Sequence, residues 1–115
     1  MRFQLDPTTF QEIIHNNPTL LNNQSLFVEM EKDIVHHKIY SVTVGILQKI
    51  NLKDAGGDKG YVLSFRTLND DQKLLLSTAC DIIQKKFTIS YQILLGTHYC
   101  FAWGEKNYRQ ERVIR

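Results

Sequence analysis

Apolar residues recur along this chain at helical spacing in some stretches and at strand spacing in others. Phe10, Ile13 and Ile14 form a helical stripe near the start. Asp6 stands where an N-cap accepts from first-turn amides. Pro7 follows at the first helical position, where its missing N–H costs nothing. Leu5 and Phe10 have the spacing of a hydrophobic staple. Asn16-Asn17-Pro18 ends this helix, and the chain then makes a short turn through Leu20 and Leu21. Over residues 25–37, Leu26, Phe27, Met30, Ile34 and Val35 fit a second helical stripe, capped by Ser25. Leu26-Phe27-Val28 also fits a short strand. Helix is preferred because Glu29-Met30-Glu31-Lys32 are good helix formers and poor strand formers.

From Lys38 the period shortens to two. Tyr40, Val42, Val44 and Ile46 alternate with Ser41, Thr43 and Gly45, which predicts a strand of about ten residues with a bulge or close approach at Gly45. Asn51 to Lys59 reads as a loop and Tyr61 to Thr67 as the return strand of a hairpin. Asn69 caps the longest predicted helix. Gln72 completes a capping box, Asp70 and Asp71 sit at the positive end of the helix dipole, and Lys85 and Lys86 at the negative end. Leu74, Leu75, Leu76, Ala79, Cys80, Ile82 and Ile83 make its wide apolar face. Phe87 to Leu95 alternates clearly, Gly96-Thr97 signals a two-residue turn, and His98 to Trp103 returns. The expectation is an α+β fold of order ααββαββ. About four antiparallel strands form two hairpins, with a long helix between them and two N-terminal helices.

Pairing across a Gly96-Thr97 turn places Leu95 opposite His98 and Ile93 opposite Cys100. One face then holds Ile89, Tyr91, Ile93 and Leu95 beside Cys100 and Ala102, which suits a core. The other holds Tyr99, Phe101 and Trp103 beside Thr88, Ser90 and Gln92. Two readings of this aromatic face stand. In one the N-terminal helices cover it, through Phe10, Ile13, Leu26, Phe27 and Met30. In the other Tyr99, Phe101, Trp103 and Gln92 are a surface for a protein partner or a second copy, since aromatics are enriched at interface hot spots.

The 115 residues suffice for one α+β domain, with residues 1–24 as its N-terminal helical segment and 105–115 as a basic C-terminal tail. Hydrophobic residues are 43% and charged residues 23% of the chain, which excludes a disordered tail or a collagen-like fibre. Net charge is +2, too balanced to imply nucleic acid by itself. Acidic residues prevail in the first third and basic ones in the remainder. In the tail, Lys106, Arg109, Arg112 and Arg115 recur every three residues and form a candidate phosphate-binding stripe, diluted by Glu105 and Glu111. No stretch approaches the ~18 apolar residues of a membrane span, and the acid and proline within the first seven residues do not suit a secretory leader. Cys80 and Cys100 lie in apolar segments with no Cys-x-x-Cys, as reduced thiols of a cytoplasmic protein do.

Candidate chemistry is sparse. His98 and Cys100 share a face two residues apart, the types a nucleophile and base require, but Cys100 is expected to point into the core. His36 and His37 point apart, and no carboxylate stands at ligand spacing, so neither a metal site nor a cofactor is expected. Lys53 to Gly60 lacks the spacing of a phosphate loop or an EF-hand and reads as a hairpin loop. The element order resembles the small chaperones of bacterial secretion systems in topology alone. Those chaperones are generally acidic and this chain is not. The function expected is a small non-enzymatic protein-binding module, an inhibitor, adaptor or chaperone of a larger partner, with homodimerisation included. The alternatives are a nucleic-acid accessory using the tail, and a small enzyme or ligand carrier with Tyr91, His98 and Cys100 in a pocket under the long helix.

Overall fold

A computed structural model describes residues 2–21 and 32–104. Helix α1 runs from Pro7 to Asn16. Asp6 caps it by accepting from the Thr9 N–H at 2.7 Å. A single 3-10 turn, Pro18–Leu21, follows. Helix α2 spans Lys32–Ala55 and strand β1 Gly60–Ser64. Helix α3 spans Asp70–Lys86, and strands β2, Ile89–Leu94, and β3, His98–Trp103, close the described chain. At the start of α3 both halves of the expected capping box form. Gln72 N–H donates to Asn69 Oδ1 at 2.8 Å, and the Asn69 N–H donates to Gln72 Oε1 at 3.0 Å.

The strand expected from Lys38 is the middle of α2, so the described residues hold three helices and a three-stranded antiparallel sheet. The first hairpin does not exist, and with it goes the strand order on which the likeness to secretion chaperones rested. Two periods overlap in this stretch. Only Ile46 of the alternating set Tyr40, Val42, Val44 and Ile46 is buried, whereas Val35, Ile39, Thr43, Ile46, Leu47 and Ile50 are all buried. Those six follow a helical stripe, and the helix buries them against α3. Thr43 joins the stripe because its hydroxyl donates to the Ile39 carbonyl at 2.7 Å, which leaves no unmet donor. The helical expectation for residues 25–37 holds from Lys32 onward; its earlier part lies outside the described residues.

The Gly56-Gly57 stretch ends α2 rather than joining two strands. Gly57 takes a φ of +93°. Its N–H donates to the Asp54 carbonyl at 3.0 Å, and the Asp58 N–H donates to the Lys53 carbonyl at 2.9 Å. That pair of bonds is the Schellman helix stop, which needs a left-handed residue and so favours glycine.

Strand β3 is central, in the order β1-β3-β2. Tyr61 lies opposite Phe101 and Leu63 opposite Tyr99 on one side. On the other, Ile89 faces Trp103, Tyr91 faces Phe101 and Ile93 faces Tyr99. Opposed residues share a face, so the inner face of the sheet carries all these rings. Helix α2 packs on β1, α3 on β2, and α1 on α3. The N-terminal segment is tied to α2 by Asn51, whose side chain accepts from the Phe3 N–H at 2.9 Å and donates to the Phe3 carbonyl at 2.8 Å.

Candidate functional site

The turn of the β2–β3 hairpin lies one residue earlier than expected. Leu95 and Gly96, not Gly96 and Thr97, are its central residues. Both have positive φ, 57° and 72°, and the Thr97 N–H donates to the Leu94 carbonyl at 3.2 Å. Positive φ at both central residues marks a type I′ turn, whose twist matches the strands it joins. Thr97 is passed over in the pairing with β2, and its carbonyl accepts from the Phe65 N–H at 3.0 Å instead. Leu94 therefore faces His98, and every pair shifts by one. A one-residue slip exchanges the two faces of a strand.

The aromatic residues consequently join Ile89, Tyr91 and Ile93 on the inner face, and Cys100 and Ala102 turn outward with Ser90 and Gln92. This corrects both expected faces. Tyr99, Phe101 and Trp103 are buried, with Trp103 fully so, and Gln92 alone of that group is exposed. Each ring has neighbours. Phe3 meets Trp103 edge-on at 6.4 Å, Tyr61 stacks on Phe101 at 6.3 Å, and Phe65 meets Tyr99 edge-on at 6.1 Å. The cover comes mainly from α2 and α3, with Phe10 and Ile13 of α1 also in the packing. Leu26, Phe27 and Met30 lie outside the described residues, as do Lys106, Arg109, Arg112 and Arg115.

At the root of the hairpin, Asp54 gathers charge. Its Oδ1 accepts from Arg2 Nη1 at 2.9 Å, Lys59 Nζ at 3.0 Å and Trp103 Nε1 at 2.9 Å. The Trp103 and Lys59 bonds, with Arg2 beside them, hold its pKa down at about 2. The arrangement anchors the end of β3, the end of α2 and the N-terminus to one carboxylate.

The Tyr91, His98 and Cys100 constellation is not assembled. Tyr91 is on the inner face, where its hydroxyl donates to Asp81; burial and that carboxylate push its pKa up. His98 and Cys100 are on the outer face, and His98 Nδ1 shares a 2.8 Å hydrogen bond with Ser64 Oγ across the β1–β3 pair. Cys80 is in the core as expected, and burial pushes its thiol up to about 12, far from the thiolate a nucleophile needs. Among the described residues no cluster of three or more His, Cys, Asp or Glu side chains is placed to hold a metal. No described helix is long and apolar enough to cross a membrane.

Two features escaped the sequence reading. The hairpin tip exposes Ile93, Leu94 and Leu95, the last at 90%. The signal for it is the doubled leucine just before Gly96, of which the expected register puts Leu95 on the core face. The second is an apolar groove of about 480 Å³ between α2, β1 and the start of α3. Its floor includes Gly45 and Ile46, which lie together there because this stretch is helix and not strand. No protein-family model, curated protein or solved structure matches the chain.

Proposed function

We propose that the protein is a small non-enzymatic binding module, an inhibitor, adaptor or chaperone of a larger protein partner, and that it meets that partner with the tip of the β2–β3 hairpin. The observation that carries this reading is Leu95. A leucine in the left-handed region costs roughly 1–2 kcal/mol, and this one also leaves its side chain almost wholly in water. Leu94, at 47% exposure on the outer face, and Ile93, at 39% on the inner face, add apolar surface on both sides of the edge strand beside it. Strain at an exposed apolar turn supports a functional reading, since a glycine or asparagine there would relieve it. The tip is also pre-organised, because the Thr97–Leu94 bond and the ladder below it fix the loop before any partner arrives. A rigid apolar knob of this kind suits insertion into a recess on a larger protein. The free thiols of Cys80 and Cys100 suit a reducing cytoplasm.

The test is a double variant, Leu94→Ser with Leu95→Asn. Asparagine tolerates the left-handed conformation, so the turn is kept while the knob is removed. Stoichiometric capture of a protein from native lysate by the wild type, lost in the variant at unchanged circular dichroism, is the expected result. A solution mass above the monomer that falls to the monomer in the variant identifies a second copy as the partner. Retention of the captured protein and of the wild-type mass by the variant overturns the reading.

A further inference from the structure

The groove has a chemistry of its own, although its wall residue Phe65 reaches the hairpin turn by donating its N–H to the Thr97 carbonyl at 3.0 Å. Val42, Leu63, Phe65 and Leu75 give it half-buried apolar walls, and Ile46 is buried at its floor. Its volume, about 480 Å³, lies in the range of about 300–1,000 Å³ usual for small-molecule sites. Two further observations bear on what fills it. Gly45 sits deep inside a 24-residue helix, where glycine is a poor choice. A β-carbon added there would meet nothing within 4 Å, so no neighbour in the described chain requires a glycine at this position. The helix gives up side-chain volume at the floor of the groove, which lets a ligand approach its backbone closely. Lys49, one turn further along α2, is the one charged residue of the lining, and it forms no ion pair with any described residue. Its aliphatic stem can follow the apolar wall while its ammonium stays at the rim. Thr67 and Gln72 are the exposed polar residues of the lining.

An apolar trough with a single cation at its rim is complementary to a molecule with a long apolar body and one negative charge. We infer that the groove binds an anionic amphiphile of the alkyl carboxylate class, its chain over Gly45 and between Val42, Leu63 and Phe65, its carboxylate on Lys49. One cation matches one carboxylate charge. The lining includes none of Ile93, Leu94 and Leu95, so neither reading depends on the other.

The experiment titrates the full chain with laurate below its micelle concentration, followed by calorimetry and amide chemical shifts. Dodecanol and dodecyltrimethylammonium, with the same chain and different heads, are the controls. Laurate is expected to bind one to one and to shift the amides of Gly45, Lys49 and Leu63. Dodecyltrimethylammonium is expected to bind at least tenfold more weakly, a difference of about 1.4 kcal/mol, with dodecanol between them. The laurate preference should shrink as salt is raised, because the head group sits at the rim. Lys49→Glu should reverse the order of the two charged probes. Gly45→Leu fills the floor and should weaken laurate at least tenfold while keeping or raising the thermal midpoint, so that loss of binding is not loss of fold. Equal binding of all three probes means apolar adsorption and overturns the inference. So do shifts confined to residues away from the groove, or no binding at millimolar laurate. A wild-type dimer whose groove amides are protected and which refuses laurate also overturns it, in favour of a second copy as occupant.

Discussion

The two strands of the β2–β3 hairpin carry similar residues and meet different fates. Along β3, everything after His98 is buried; along β2, burial begins at Ile89 and is lost by Gln92. The difference is position in the sheet. Strand β3 is flanked on both sides, so even Cys100 and Ala102 on the outer face are covered by their neighbours. Strand β2 is an edge, and toward its end the apolar side chains Ile93 and Leu94 are left to solvent. Hydrophobicity therefore does not separate core from exposed surface within this hairpin. Distance along the edge strand does: the aromatic root is buried and the aliphatic tip is exposed.

The largest effect should follow from breaking the root. Trp103→Ala removes a fully buried indole and its bond to Asp54, and should cost about 3–5 kcal/mol in chemical denaturation. Leu94→Ala at the tip should stay within about 0.5 kcal/mol, as exposed substitutions usually do. Equal costs at the two positions would end the distinction between root and tip.

The root should also respond to acid. The carboxyl of Asp54 has a folded-state pKa of about 2, below its ordinary value of 3.8. A depressed carboxylate contributes stability that is present above the unfolded value and is lost as pH falls through the folded one. The wild type should therefore exceed Asp54→Asn in stability by a constant margin above about pH 5, and that margin should shrink between about pH 4 and pH 2. A margin that is flat across this range would show that the three donors on Asp54 Oδ1 do not favour its charged form.

The smallest effect sharpens the comparison from the other end. Leu95→Gly relieves the left-handed leucine and should raise stability by up to about 1 kcal/mol, while Leu95→Val, branched at the β-carbon, should lower it. Paired denaturation curves decide this. A destabilising Leu95→Gly would mean that the leucine supports the fold, and would remove the strain argument for a partner at the tip.

What the sequence determined by itself is local. The Asp6 cap and the Asn69–Gln72 box rest on contacts between residues three apart, Pro7 and the charges of α3 only on their place at a helix end, and all appear as read. The alternation of residues 87–103 was enough to identify two antiparallel strands. The middle of α2 was not decided locally, because Lys38 to Ile50 satisfies a period of two and a helical period together; packing against α3 selects the helix, which buries Val35, Ile39, Thr43, Ile46, Leu47 and Ile50 at once. The hairpin register was likewise open. A turn at Leu95-Gly96 or at Gly96-Thr97 differs by one residue, and only the first puts Tyr99, Phe101 and Trp103 on the side of the sheet that the helices cover. The groove needed both decisions, since its floor is a helix only in the folded chain and its wall is the inner face of β1. Local patterns settled which segments could be regular; burial of the largest continuous apolar surface settled which regular form two of them took and which way they faced.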